Sequence, residues 1–206
     1  MATADTRAAF AQAAAGDGVV LERATFDWLC EQGHLGLERV AKARRDPAIV
    51  APVVAALHVL ERICARLRGD VTVLHSARKN LLLPCDLVHL GSGTIVEVDG
   101  PEHFSSARLA ALELYPADAA VGFDVAGHAA LCRDLAASTD LRSRGLPAKA
   151  FGFGGVLRER AYHDALRDLA TPAMGHPPLI RIAAADGDGA AAYVRHRPVL
   201  AALAGA

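Results

Sequence analysis

The chain lacks any recognisable cysteine pattern. Its four cysteines, Cys30, Cys64, Cys85 and Cys132, make no CxxC pair and no zinc-ligand spacing. Each lies among apolar neighbours and reads as a small buried hydrophobe in a reducing compartment. A basic excess is missing as well. The 22 Lys and Arg stand against 23 Asp and Glu, a formal charge of −1. That balance argues against an extended electrostatic footprint on nucleic acid and leaves room for a small site with local positive charge. The opening MATADTRAAF has no basic-then-apolar profile of a signal peptide. The apolar stretch 48–60 is too short to span a bilayer and is broken by Pro52, so a core helix of a cytoplasmic protein is expected. There is no internal repeat and no nucleophile elbow around Gly91-Ser92-Gly93. Phe151-Gly152-Phe153-Gly154-Gly155 lacks the Lys-Ser/Thr ending of a phosphate-binding loop and reads as a flexible connector.

What is present is enough for one substantial core: 206 residues, 52% of them hydrophobic. The pattern predicts a helical region over 1–46 and one α/β domain over 47–206. Helices are expected over 4–15, 19–32 and 36–45, with Trp28 as a packing residue and Lys42, Arg44 and Arg45 complementing a helix C-terminus. Asp46-Pro47 is a strong helix start, and the helix should run to Arg68 with Glu61 on the rim of its apolar stripe. Strands are predicted over 71–75, 81–90, 94–99 and 179–184, with Pro84 implying an edge or a bulge beside Asp86. Helices are predicted near 128–137, over 156–170 and over 190–203.

The informative stretch is 86–104, DLVHLGSGTIVEVDGPEHF. Its apolar runs carry Asp86, Glu97 and Asp99, with Glu102 and His103 immediately after. Carboxylates on apolar strands are costly unless paired, protonated or bound to a cation. The two-residue period of a strand turns Glu97 and Asp99 to one face and Val96 and Val98 to the other. A two-residue type II′ turn at Gly91-Ser92 pairs Leu90 with Gly93. Asp86 then stands opposite Glu97, about 4.5–5.5 Å away at Cβ. Opposed carboxylates repel, so something positive is expected between them. A divalent cation suits the position; a guanidinium on each acid would remove the need for one.

Asp86, ten intervening residues, then Glu97-Val98-Asp99-Gly100 and His103 resemble the core of the PD-(D/E)XK nuclease superfamily. The likeness is to its very-short-patch-repair-endonuclease-like branch and the related RAP domains, which share an EVDGP-x-HF type of segment. It covers 61–103 well and 158–182 loosely. It implies a restriction-endonuclease-like α/β core, a mixed central sheet flanked by helices, with an insertion at 115–155. It further implies a metal-dependent endonuclease in which Asp86, Glu97 and Asp99 hold Mg²⁺ or Mn²⁺. His103 would act as general acid or base, and Glu61 would point toward the acids from the helix before the first strand. Asp99 stands where the superfamily pattern has lysine, and the resembled branch carries the same acid. Lys79, Arg158 or Arg160 would supply the missing positive charge. Arg78, Lys79, Arg158 and Arg160 are the expected nucleic-acid contacts, with DNA favoured over RNA and repair, restriction or defence as the setting.

Two other readings stay open. One is a nuclease-fold module that binds nucleic acid or a partner without cutting, as RAP domains are thought to bind RNA. The other is an unrelated α/β protein whose acids pair with arginines as a structural network. Duplex cutters often need two sites, which makes a homodimer compatible with the first reading, although the sequence shows no self-complementary surface.

Overall fold

The protein is described as a computed structural model covering residues 4–77 and 81–203. Helix α1 (Ala4–Gly16) opens the chain, followed by β1 (Leu21–Glu22), β2 (Thr25–Cys30), α2 (His34–Arg44), α3 (Pro47–Arg66) and α4 (Val71–Ser76). Next come β3 (Leu82–Pro84), β4 (Leu87–His89), β5 (Thr94–Asp99), a 3₁₀ turn (Pro101–His103), α5 (Ser106–Leu112) and α6 (Val125–Arg142). The described chain closes with α7 (Val156–Ala173), β6 (Ile180–Ala183), α8 (Gly189–Leu200) and a 3₁₀ turn (Ala201–Leu203). The architecture is α/β, with a mixed four-stranded sheet in the order β1-β4-β5-β6 and a separate two-stranded ribbon of β2 and β3.

Around the central hairpin, sequence and structure agree on register. Leu87 pairs with Val96, Val88 with Ile95 and His89 with Thr94, all antiparallel. Continued one step, that ladder sets Asp86 against Glu97. The turn differs from the expected type: residues 90–93 form a four-residue loop closed by Gly93 N–H donating to the His89 carbonyl at 2.8 Å. The left-handed glycine is Gly93 (φ 71°), the position a Cβ would strain. β5 then pairs parallel to β6, with Glu97 beside Arg181 and Val98 beside Ile182. Val96, Val98 and Ile182 pack with Phe10, Ala192 and Tyr193 from α1 and α8. Ile95 and Val88 face the larger core, which holds Trp28, Leu60, Ile63, Tyr162 and Leu166. The sheet is therefore covered on both faces.

Several local expectations give way to tertiary context. The stretch 19–32, read as a helix, forms β1 and β2; β1 joins the main sheet, so the first 46 residues are not a purely helical layer. Val71–Ser76 is a helix rather than a strand, because the Asp70 carboxylate accepts the N–H groups of Thr72 and Val73 and caps it. Pro84 does more than make a bulge: the run 81–90 breaks at Cys85-Asp86 into β3 and β4, which belong to different sheets. α3 runs unbroken through Pro52 for 20 residues and is long and apolar enough to cross a membrane. Its Val53, Leu57, Leu60, Ile63 and Cys64 sit in the core.

Candidate functional site

α7 carries an unusual face. At helical spacing it places Arg160, His163, Asp164, Arg167 and Asp168 on one side, and Asp164 and Asp168 are buried. That polar stripe faces the sheet where Glu97 and Asp99 emerge. Two distinct arrangements result, an open cavity at one end and a closed ionic cluster beside it.

The cavity, about 220 Å³, is lined by Asp86, Glu97 and His103 on the sheet side, with Arg160, His163 and Arg167 across from them. Arg7 of α1 closes one edge, its Nη1 2.6 Å from Asp86 Oδ1. The other Asp86 oxygen accepts the Val98 N–H at 3.1 Å, while the Asp86 N–H donates to Glu97 Oε1 at 3.1 Å. These reciprocal bonds continue the hairpin ladder through side chains and hold the two acids together. Glu97 is buried, and its nearest guanidinium nitrogen, Arg167 Nε, is 3.6 Å away, too far for a hydrogen bond. Burial, together with the adjacent Asp86, pushes its carboxyl up to about 7 against the pull of Arg167. Burial also drives His163 down to about 3, so it is neutral in ordinary buffers.

His103 bridges cavity and cluster. Its Nδ1 is 2.9 Å from Asp164 Oδ2 and 3.4 Å from Asp99 Oδ1, which leaves Nε2 to exchange a proton. Burial would raise Asp164, but His103 and Arg181 outweigh it and hold this carboxyl well below the usual range. An imidazole oriented by an ionised carboxylate is the common arrangement for a proton-transfer histidine.

Behind it lies the cluster. Arg181 of β6 spans three acids: Nη1 to Asp99 at 2.7 Å, Nε to Asp168 at 2.7 Å and Nη2 to Asp164 at 3.3 Å. Arg108 of α5 reaches Asp168 at 2.7 Å, and the Tyr115 hydroxyl donates to the same oxygen at 2.6 Å. Arg108 and Arg181 are each buried, so these pairs are shielded from solvent.

The sequence-predicted residues therefore separate. Asp86, Glu97, His103 and Arg160 share the cavity. Asp99, expected as a metal ligand, is wholly buried and bonded to Arg181, because the β5–β6 pairing brings that guanidinium beside it. Glu61 is exposed on α3 and lines no part of the cavity; the helix that reaches Asp86 is α1, which offers Arg7 instead of an acid. Arg158 lines a different hollow and donates to the carbonyls of Phe151 and Phe153. Arg78 and Lys79 lie outside the described residues. Arg7, Asp164, Arg167 and Asp168 went unrecognised as partners of the acids. The charged stripe at 160, 163, 164, 167 and 168 is the sequence signal for the three on α7; nothing in the sequence points to Arg7.

Among the described residues, no group of three or more His, Cys, Asp or Glu side chains is placed to hold a metal. Of the three acids implied by the resemblance, Asp86 and Glu97 border the cavity, and Asp99 is held by Arg181. Two carboxylates suit Mg²⁺ when waters and substrate phosphate complete the octahedron. Glu97, buried without a hydrogen-bonded cation, is the acid such an ion would return to its charged form. Arg7 would have to leave Asp86 Oδ1 for this to happen. No protein-family model, no curated protein and no solved structure matches the chain.

Proposed function

We propose that the cavity is a phosphodiester-hydrolysing site acting on nucleic acid, DNA ahead of RNA, in a restriction-endonuclease-like α/β core. The observation that carries the reading is the convergence of Asp86, Glu97 and His103 on one open cavity. The mixed sheet, the opposed acids of the hairpin and the helix before the last strand agree with the resemblance.

Asp86 and Glu97 would hold a Mg²⁺ or Mn²⁺ ion. When bound, that ion supplies an activated water and neutralises charge on the phosphate. The chain's own groups account for the rest. Arg160 and Arg167 border the cavity and would offset the charge of a phosphate seated there, Arg167 being anchored by its Nη2 bond to the Pro84 carbonyl. His103, oriented through Nδ1 by Asp164, takes or gives the proton at Nε2. Glu97 must lose its own proton to bind the cation, so the site works best above the pH at which that carboxyl ionises.

A second reading, a module that binds nucleic acid without cutting, is favoured by one contact. Arg7 already supplies Asp86 with the positive charge a cation would bring.

The deciding experiment incubates the protein with labelled single- and double-stranded DNA and RNA, with and without Mg²⁺ or Mn²⁺. Metal-dependent cutting that disappears in Asp86→Ala and in Glu97→Ala supports the hydrolase. Cutting retained in both variants refutes it. Binding without cutting at any metal concentration transfers the assignment to the second reading.

A further inference from the structure

Where the first cavity mixes signs about evenly, a second hollow is mainly basic. The cavity at Asp86 is bordered by Arg7, Arg160 and Arg167 but also by Asp86, Glu97, Glu159 and Asp164. On another face of α7, a hollow of about 570 Å³ is lined by Arg66, Arg144 and Arg158, with Asp140 as its one acid. Asp140 accepts the Ser106 N–H, and none of the three arginines pairs with a carboxylate among the described residues. Three guanidinium groups without a carboxylate partner therefore line this hollow.

Phe153 and Gly154 bring to the edge of the hollow the Phe151–Gly155 run, expected to be a flexible connector. It is a closed loop instead: the Ala148 N–H donates to the Gly152 carbonyl at 3.0 Å and the Gly155 N–H to the same carbonyl at 3.0 Å. Gly152 (φ 66°) and Gly154 (φ 64°) take the left-handed conformation on either side of Phe153. Phe151 is anchored in the core, and Arg158 ties down the carbonyls of Phe151 and Phe153. The loop thus holds Phe153 outward, 82% exposed, at the edge of an arginine-lined hollow. Phe153 is the most exposed large hydrophobic side chain among the described residues, and it stands where guanidinium groups converge.

We propose that this hollow binds single-stranded nucleic acid, with Arg66, Arg144 and Arg158 on backbone phosphates and Phe153 stacking an unpaired base. Phosphate-tracking cations beside an exposed ring are the recurring solution for unpaired strands, and a duplex offers no free base face to such a ring. Arg158 and Arg160 are two residues apart on α7 and turn to different faces of the helix, so the hollow and the Asp86 cavity are separate sites. The inference rests on the nucleic-acid part of the proposed function and not on cleavage.

The test is fluorescence anisotropy with a labelled oligothymidylate across a salt series, on the full chain and on folded variants checked by circular dichroism. Arg66→Ala and Arg144→Ala should each weaken binding and reduce the slope of log K against log salt by about 0.7, one phosphate contact apiece. Phe153→Ala should weaken binding about tenfold with the slope unchanged. No binding by the unmodified protein at low salt overturns the inference, as do three variants that bind like it. A polyglutamate peptide that binds as tightly and ignores Phe153→Ala overturns it in favour of an acidic protein partner. Oligothymidylate bound by an unmodified protein that cuts no nucleic acid with either metal counts against the hydrolase alone and leaves this inference standing.

Discussion

Arg7 Nη1 lies 2.6 Å from Asp86 Oδ1, joining the first helix to the hairpin acid across 79 residues of sequence. The contact is partly open to solvent, with Arg7 side-chain exposure of 22%. It covers the oxygen that a cation shared with Glu97 would use.

Replacing Arg7 by glutamine should therefore raise Mn²⁺ affinity about tenfold, the equivalent of about 1.4 kcal/mol. Isothermal titration calorimetry of the two proteins measures it directly. An unchanged or weaker affinity would mean that Arg7 does not compete with a metal at Asp86.

The raised Glu97 carboxyl makes stability depend on pH in a definite direction. Because its folded value, about 7, lies above the ordinary 4.5, the folded state binds the proton more tightly than the unfolded chain does. The stabilisation is complete below about 4.5 and is lost as pH rises through about 7. Glu97→Gln keeps the shape and removes the ionisation. It should be more stable than the parent at pH 8, by on the order of 2–3 kcal/mol, with the gap closing by pH 5. Urea midpoints at the two pH values decide the matter; a gap that widens toward acid would reverse the assignment.

Arg181→Met should cost about 3–5 kcal/mol of stability, because it leaves Asp99, Asp164 and Asp168 buried with too little positive charge. Chemical denaturation measures it. Asp168→Asn should cost less, since Arg181 keeps two of its acids. Equal losses in the two variants would show that Arg181 is not the centre of the cluster.

The hairpin was legible because strand period and register are local. Alternation put Glu97 and Asp99 on the face opposite Val96 and Val98, and Asp86 falls opposite Glu97 both with the expected two-residue turn and with the observed four-residue loop. α3 was equally plain from the Asp46-Pro47 start, whose carboxylate accepts the Ala48 N–H. The stretch 19–32 failed for a tertiary reason: Trp28, Leu29 and Cys30 are consecutive and all buried, a run that reads as either element until a partner strand such as β3 is known. The fate of Asp99 could not be read for the same reason. Its charge is met by Arg181, a residue whose alignment depends on how β6 slots beside β5. Electrostatic need was visible in the sequence; which cation answered it was not. For Asp99 the answer is an arginine, for Asp86 an arginine on a helix from the far end of the chain, and Glu97 alone lacks a hydrogen-bonded one.

The parallel pairing of β5 with β6 also dictates an order of assembly. Asp99 waits for a guanidinium made 82 residues later, and Glu97 for one on α7, whereas β4 and β5 meet across a four-residue loop. During synthesis the hairpin can close while its acids still face water, protonated or hydrated. The polar interior is thus sealed only when the last strand arrives, and a nascent chain stopped before Arg181 would carry an unfinished, charge-repelling face open to any cation in the cell.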